Sequence, residues 1–240
     1  MSELRYNQQE TVLDLTQTSE RAFVTNVFSF MTLALVISGV MAFWFGTTDL
    51  IFNLVKSDGS GMTGMGWAVM FAPLAFILVM NFGFNRLSYP ALLMVYLGFS
   101  AIMGISLSYI FILYSGASIA KVFLITAGLF GTMAVIGYTT KTDLTKLGSL
   151  LMMALIGLII ASVVNFFMKS STMDYIISCA GVLIFTGLVA YDTQKVKRIG
   201  AGVEYGTATA SKLAIMGATS LYLDFINLFM FLLRILGRRD

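Results

Sequence analysis

Leu213–Leu233 reads LAIMGATSLYLDFINLFMFLL, a run as long as a membrane-crossing helix that carries one charge, Asp224. A helix of about 20 residues spans the roughly 30 Å hydrocarbon layer. The acid lies twelve residues beyond Lys212, about 18 Å along the axis at 1.5 Å per residue, near mid-membrane. Insertion scales put a charged side chain there at roughly 2.5–3.5 kcal/mol, so such an acid marks an ion or proton site or a specific interhelical bond. Ser220, Asp224 and Asn227 stand at i, i+4 and i+7, on one stripe of the helix. A polar stripe on an oily helix points into a bundle.

Six more runs of the same kind precede it: Ala22–Phe45, Met62–Phe84, Pro90–Leu113, Val122–Thr140, Leu147–Met168 and Tyr175–Gln194. Hydrophobic residues make up 58% of the chain and charged ones 11%, against about 25% charged in soluble domains. The short alternation of a membrane barrel is absent. The reading is an all-α polytopic membrane protein, with a polar tail (1–21) and a single seven-helix domain (22–240). The tail carries mixed charge and no apolar core after a basic start, so the first span is read as a retained anchor.

Cys179 is the lone cysteine and histidine is absent, which excludes a disulfide framework, a thiolate cluster and any histidine dyad or metal site. No cofactor is expected. The basic residues are scattered between spans and form no stripe, so nucleic acid is not a partner. The lipid bilayer is. Seven crossings place nine basic residues on one side (Arg5, Arg21, Arg86, Lys141, Lys146, Lys195, Lys197, Arg198, Lys212). Six fall on the other (Lys56, Lys121, Lys169, Arg234, Arg238, Arg239). By the positive-inside rule the amino terminus is cytoplasmic and the carboxyl terminus outside. A last segment that dipped in and returned would sharpen that split, but it is long enough to cross.

Helices in lipid associate through small residues and polar contacts. Ser100, Gly104 and Ser108 give the third span a small face, and Ala127 and Gly131 do the same for the fourth. Pro90 suits a helix start. Pro73 should bend the second helix, as a static kink or as a way to open the bundle.

The sixth span supplies a second acid, Asp192 in GLVAYDTQ. Alone it is equally an interfacial acid paired with Lys195 or a functional group. Consecutive spans usually neighbour in space, so Asp192 and Asp224 can meet on the cytoplasmic half of the bundle. Two carboxyls in a dry site share one proton, and losing it leaves repelling charges that push helices apart. Arg86, at the end of the second span, is the countercharge that would latch the closed bundle.

GLVAYDTQ and LYLDFINLFMFLLRILG resemble the Bax inhibitor-1 family, and the resemblance covers essentially the whole chain. It implies seven helices around a central carboxy-terminal one and a pH-sensitive calcium leak. It also implies a di-aspartyl proton sensor at Asp192 and Asp224, with the basic latch on Arg86. Eukaryotic members of that family are linked to suppression of cell death, and some bacterial ones to a membrane protease partner. Calcium favours six to eight oxygens, and Asp192, Asp224, Ser220, Asn227 and backbone carbonyls would form a transient site for the passing ion. No acidic ring of a selective pore is present.

Two readings of other classes stay open. Tyr191–Asp192 with a second aspartate in the next span fits half of the intramembrane aspartyl protease pattern. Asp224 lacks the preceding glycine turn, and no proline follows Pro90. The protein could instead regulate another membrane protein as its partner. The compact chain with short loops suits a bacterial cytoplasmic (inner) membrane.

Overall fold

The computed structural model describes residues 2–56, 61–204 and 206–238, with side chains from residue 18 onward, so the side chains of the polar tail (1–21) lie almost wholly outside the description. The helices are α1 (Ser2–Gly46), α2 (Gly64–Gly83), α3 (Tyr89–Leu107), α4 (Ile110–Leu113), α5 (Gly116–Thr139), α6 (Thr145–Met168), α7 (Ser171–Gly202) and α8 (Ala208–Leu236). Seven segments are long and apolar enough to cross a membrane, α3 and α4 together forming one of them and α1 contributing Thr18–Gly46. All seven match the runs read from the sequence. The third breaks at Ser108–Tyr109, where the Ser108 hydroxyl donates to the Ile105 carbonyl (2.7 Å) and competes with the helical ladder. Among the described residues there is no strand, only an isolated bridge between Val55 and Met62.

Helix ends follow local chemistry. Ser88, Ser170 and Thr207 accept N-cap bonds from the amides of Ala91, Met173 and Ala210. Pro90 occupies the first turn of α3. α2 continues through the buried Pro73 from Gly64 to Gly83. α6 stops where Lys169 turns left-handed (φ 51°), and Asn165 Oδ1 catches the Ser170 amide at 3.1 Å.

α8 is the axis of the bundle. It packs against α1, α3, α5 and α7, and Ala214, Ala218, Leu221, Tyr222 and Leu228 are sealed from every side. α6 rests on α7 and α2 chiefly on α3. Their outer faces carry large apolar side chains such as Phe82, Ile156 and Phe167, the surface a bilayer covers. Gly104 lets α3 meet the Ser38 backbone of α1, and Gly137 lets α5 meet the Ala190 backbone of α7; a Cβ at either would collide. The Ala127–Gly131 face expected to receive another helix receives none: Gly131 is exposed and a Cβ there would meet nothing within 4 Å.

Candidate functional site

α7 and α8 pack more extensively than any other helix pair among the described residues, and they carry both acids. Asp192 is 9% exposed and Asp224 6%. Asp192 and Asp224 line the same cavity from these two packed helices. An ionised carboxyl only accepts, so a bond between the two needs a proton on one of them. The Ser220 hydroxyl donates to Asp192 Oδ2 at 2.6 Å. Asp224 Oδ2 is buried and has no hydrogen-bond partner. The pair is therefore held but not fully satisfied, which suits a group that exchanges a proton or an ion.

Gln194 sets the depth of the pair. Its amide nitrogen donates to the Thr142 carbonyl (2.8 Å), while its oxygen accepts from the Leu144 amide (2.9 Å) and from Arg198 (2.8 Å). The α5–α6 connection is thus pinned to α7 two residues past Asp192, on the face of the bundle where Arg21 lies. Arg198 also bridges to Asp143 at 3.3 Å. Asp143, in that connection, accepts from the Thr145 hydroxyl (2.6 Å) and amide (2.9 Å). Those two donors, with Arg198 behind them, hold its carboxyl below the usual carboxylate value.

Two cavities meet at the pair. A large one, about 1170 Å³, runs between α2 and α6 over α7 and α8, from Gly61 and Trp67 at the far face down to Asp192, Lys195 and Asp224. A smaller one, about 250 Å³, lies on the Arg21 face between Asn81, Val196, Leu213 and Gly217. Asp192, Lys195, Ser220 and Leu223 line both. Asp192 thus lies between a wide, mostly apolar cavity and a small one, and Asp224 lines the wide one.

Ser220, Asp224 and Asn227 all line the large cavity, as their spacing predicts. Asn227 does not touch the acids; its side chain donates to Leu223 one turn back, at 2.8 Å. Arg86 requires a correction. It is exposed in the α2–α3 connection, lines neither cavity and forms neither of the ion pairs among the described residues. The α2 helix ends at Gly83, so Arg86 sits past the end of the span. The cation that shares both cavities with Asp192 is Lys195. Nor does Lys195 pair with Asp192: the ion pairs among the described residues are Arg198–Asp143 and Arg234–Asp174. Sequence spacing could have offered Lys195, three residues from Asp192, as a group facing the same cavity. Gln194 carried no comparable signal, because its partners are backbone atoms far away in sequence.

This arrangement can be set beside known proteins. A family model described as "Inhibitor of apoptosis-promoting Bax1" matches residues 20–240. The chain belongs to the Bax inhibitor-1 family. Among Bax inhibitor-1 relatives, the chain is 40% identical over 220 residues to the inner membrane protein YbhL of Escherichia coli K12, covering 91% of this chain and 92% of that one. An uncharacterized protein of Rickettsia prowazekii is 42% identical over 222 residues, 91% of this chain and 90% of that one. A protein of Borreliella burgdorferi is 39% identical over 233 residues, 95% and 99% respectively. The match spans every membrane-crossing helix, so the cavities and the acid pair fall inside the shared region.

Proposed function

We propose that this membrane protein is a pH-sensitive calcium leak whose conductance follows the proton held between Asp192 and Asp224. One observation carries the reading: Asp192 and Asp224 stand together on the wall of the large cavity, and Asp192 lines the small one as well. A proton shared there leaves the pair with a single negative charge and keeps α7 and α8 in contact. Its loss places two like charges side by side in a dry site, and they repel. The wall best able to yield is α2, which leans mainly on α3 and separates the large cavity from the lipid.

Calcium is the cargo. The oxygens of Asp192, Asp224 and Ser220, with the Asn227 side chain farther up the cavity, offer a few hard ligands. Among the described residues no cluster of three or more acidic, histidine or cysteine side chains occurs. A weak, transient stop suits a slow leak better than a buffer site. We place the protein in a bacterial inner membrane with its amino terminus in the cytoplasm, on the Lys and Arg bias and on the location named for the E. coli relative.

The test is calcium-dye release from liposomes holding purified protein, across a pH series. Wild type should show a leak that changes with pH, and Asp224→Asn a leak indifferent to pH. A variant with wild-type flux and wild-type pH response ends the proposal. Peptide cleavage by the same liposomes, blocked by an aspartyl-protease transition-state inhibitor, would point instead to the protease reading.

A further inference from the structure

The small-residue face of α5 gains no helix, yet it is not bare surface. Ala127, Gly131 and Ala134 form one wall of a groove of about 660 Å³, α1 forms the other, and Thr193 and Phe225 lie in its floor. The groove stands apart from the acid pair and opens sideways to the bilayer. It begins at Arg21 and Tyr138 and runs to Leu35. Arg21 to Leu35 is fourteen residues, so the groove is about 21 Å long. One leaflet, headgroup region included, is about 20–22 Å thick, half of a bilayer. The groove therefore matches one lipid in depth.

Its polar groups are ordered as a phospholipid is. At the mouth is the exposed guanidinium of Arg21, which forms neither of the ion pairs present among the described residues. Lys197, which does not line the groove, lies over the ring of Tyr138, which does, with its Nζ 4.7 Å from the ring centre, and donates to the Tyr138 carbonyl at 2.9 Å. Further in is the Thr193 hydroxyl, fully buried and without a hydrogen-bond partner. Beyond it every side chain of the groove is apolar except Thr25 and Thr32, and the Thr32 hydroxyl already donates to the Phe28 carbonyl at 2.8 Å.

We propose that this groove between α1 and α5 is a binding site for one anionic glycerophospholipid of the leaflet on the Arg21 face. Arg21 attracts the phosphate, as basic side chains at a membrane surface do. The Thr193 hydroxyl donates to an ester carbonyl of the glycerol backbone, and an acyl chain lies over Gly131 along the apolar trough. Small residues line α5 because a side chain there would occupy the space of the chain. The lipid in turn supports α1 against α5, which pack at most sparsely against each other.

Native mass spectrometry of the delipidated full-length protein, titrated with phosphatidylglycerol or with phosphatidylethanolamine of the same chains, tests this. Wild type should retain one phosphatidylglycerol in preference to phosphatidylethanolamine. Gly131→Phe should lose that adduct, whereas Gly128→Phe, on an open face outside the groove, should keep it. Arg21→Ala should weaken phosphatidylglycerol binding about fivefold, the worth of roughly 1 kcal/mol per basic residue at a membrane surface, and erase the headgroup preference. Retention of phosphatidylglycerol by folded Gly131→Phe overturns the proposal. So does equal binding of both lipids by wild type and Arg21→Ala, a result that stands even if Gly131→Phe does not fold. A dimer in wild type that Gly131→Phe abolishes, with no lipid adduct, would show a second copy in the groove and also overturn it.

Discussion

Ser38, Ser100 and Tyr222 tie three helices together in the driest part of the bundle, and the order of their protons makes a sharp prediction. The Ser38 hydroxyl donates to the Ser100 carbonyl at 2.7 Å and lies 2.6 Å from the Tyr222 hydroxyl. Serine has one hydroxyl proton, and it is committed to Ser100, so Tyr222 donates to Ser38. Ser38 is 3% exposed and Tyr222 is fully buried. Tyr222→Phe removes one donor and leaves the ring packed edge-on against Phe99, so it should cost about 0.6–1.7 kcal/mol, the range for side-chain bonds inside membrane proteins. Ser38→Ala removes the acceptor of the buried Tyr222 proton, and should cost more, about 1–3 kcal/mol. In the Ser38→Ala background, Tyr222→Phe then removes the stranded group and should be neutral or stabilising. Unfolding of the purified protein in mixed micelles, titrated with dodecyl sulfate and followed by circular dichroism, measures all four corners of the cycle. Additive effects, with Tyr222→Phe as harmful in the Ser38→Ala background as in wild type, would refute the bond and the proton assignment.

Asp224→Asn should leave the fold intact and remove the pH response of calcium release from loaded liposomes, as set out above. Gly137→Ala should destabilise by about 1–3 kcal/mol in the same micelle titration, because its Cβ would strike the Ala190 carbonyl, whereas Gly128→Ala should be neutral or slightly stabilising through helix propensity. Asp143 is held below its ordinary value of 3.8 in the folded protein, so its ionised form adds stability above that pH and loses it as the pH falls further. Asp143→Asn should therefore be less stable than wild type from pH 5 to 8, with the gap closing below about pH 4 in thermal melts at matched ionic strength. The phosphatidylglycerol adduct should survive Gly128→Phe and not Gly131→Phe.

What the sequence made legible follows from how membranes constrain chains. A bilayer leaves a backbone no hydrogen-bonding solvent, so each long apolar run must be a helix, and composition alone yields all seven crossings. The stripe Ser220–Asp224–Asn227 was legible for the same reason, since periodicity says which side of a helix faces protein. The pairing of Asp192 with Asp224 followed from adjacency of consecutive helices. Contacts across the bundle obey no such local rule. Gln194 binds the backbone of residues 142 and 144, and Ser38 binds Tyr222 184 positions away. Nothing in the spacing of either residue announces its partner.

Arg86 and Gly131 show why spacing can mislead in opposite ways. Arg86 has the right sign and stands at the end of the second crossing, but a charge beyond a helix end is free to snorkel to the water and gains nothing by turning inward. Lys195 belongs to the helix of Asp192 itself, so the turn of α7 delivers it to the rim of both cavities without any loop having to fold back. Gly131 carries the pattern that elsewhere admits a second backbone, as Gly104 and Gly137 do. A small-residue face says only that something must come close. Gly104 and Gly137 meet protein because α1 and α7 cross there, while Gly131 faces the seam between α1 and α5, where the neighbour supplied by the surroundings is lipid. The same sequence signal thus has two physical outcomes, decided by which helices the central α8 leaves room for.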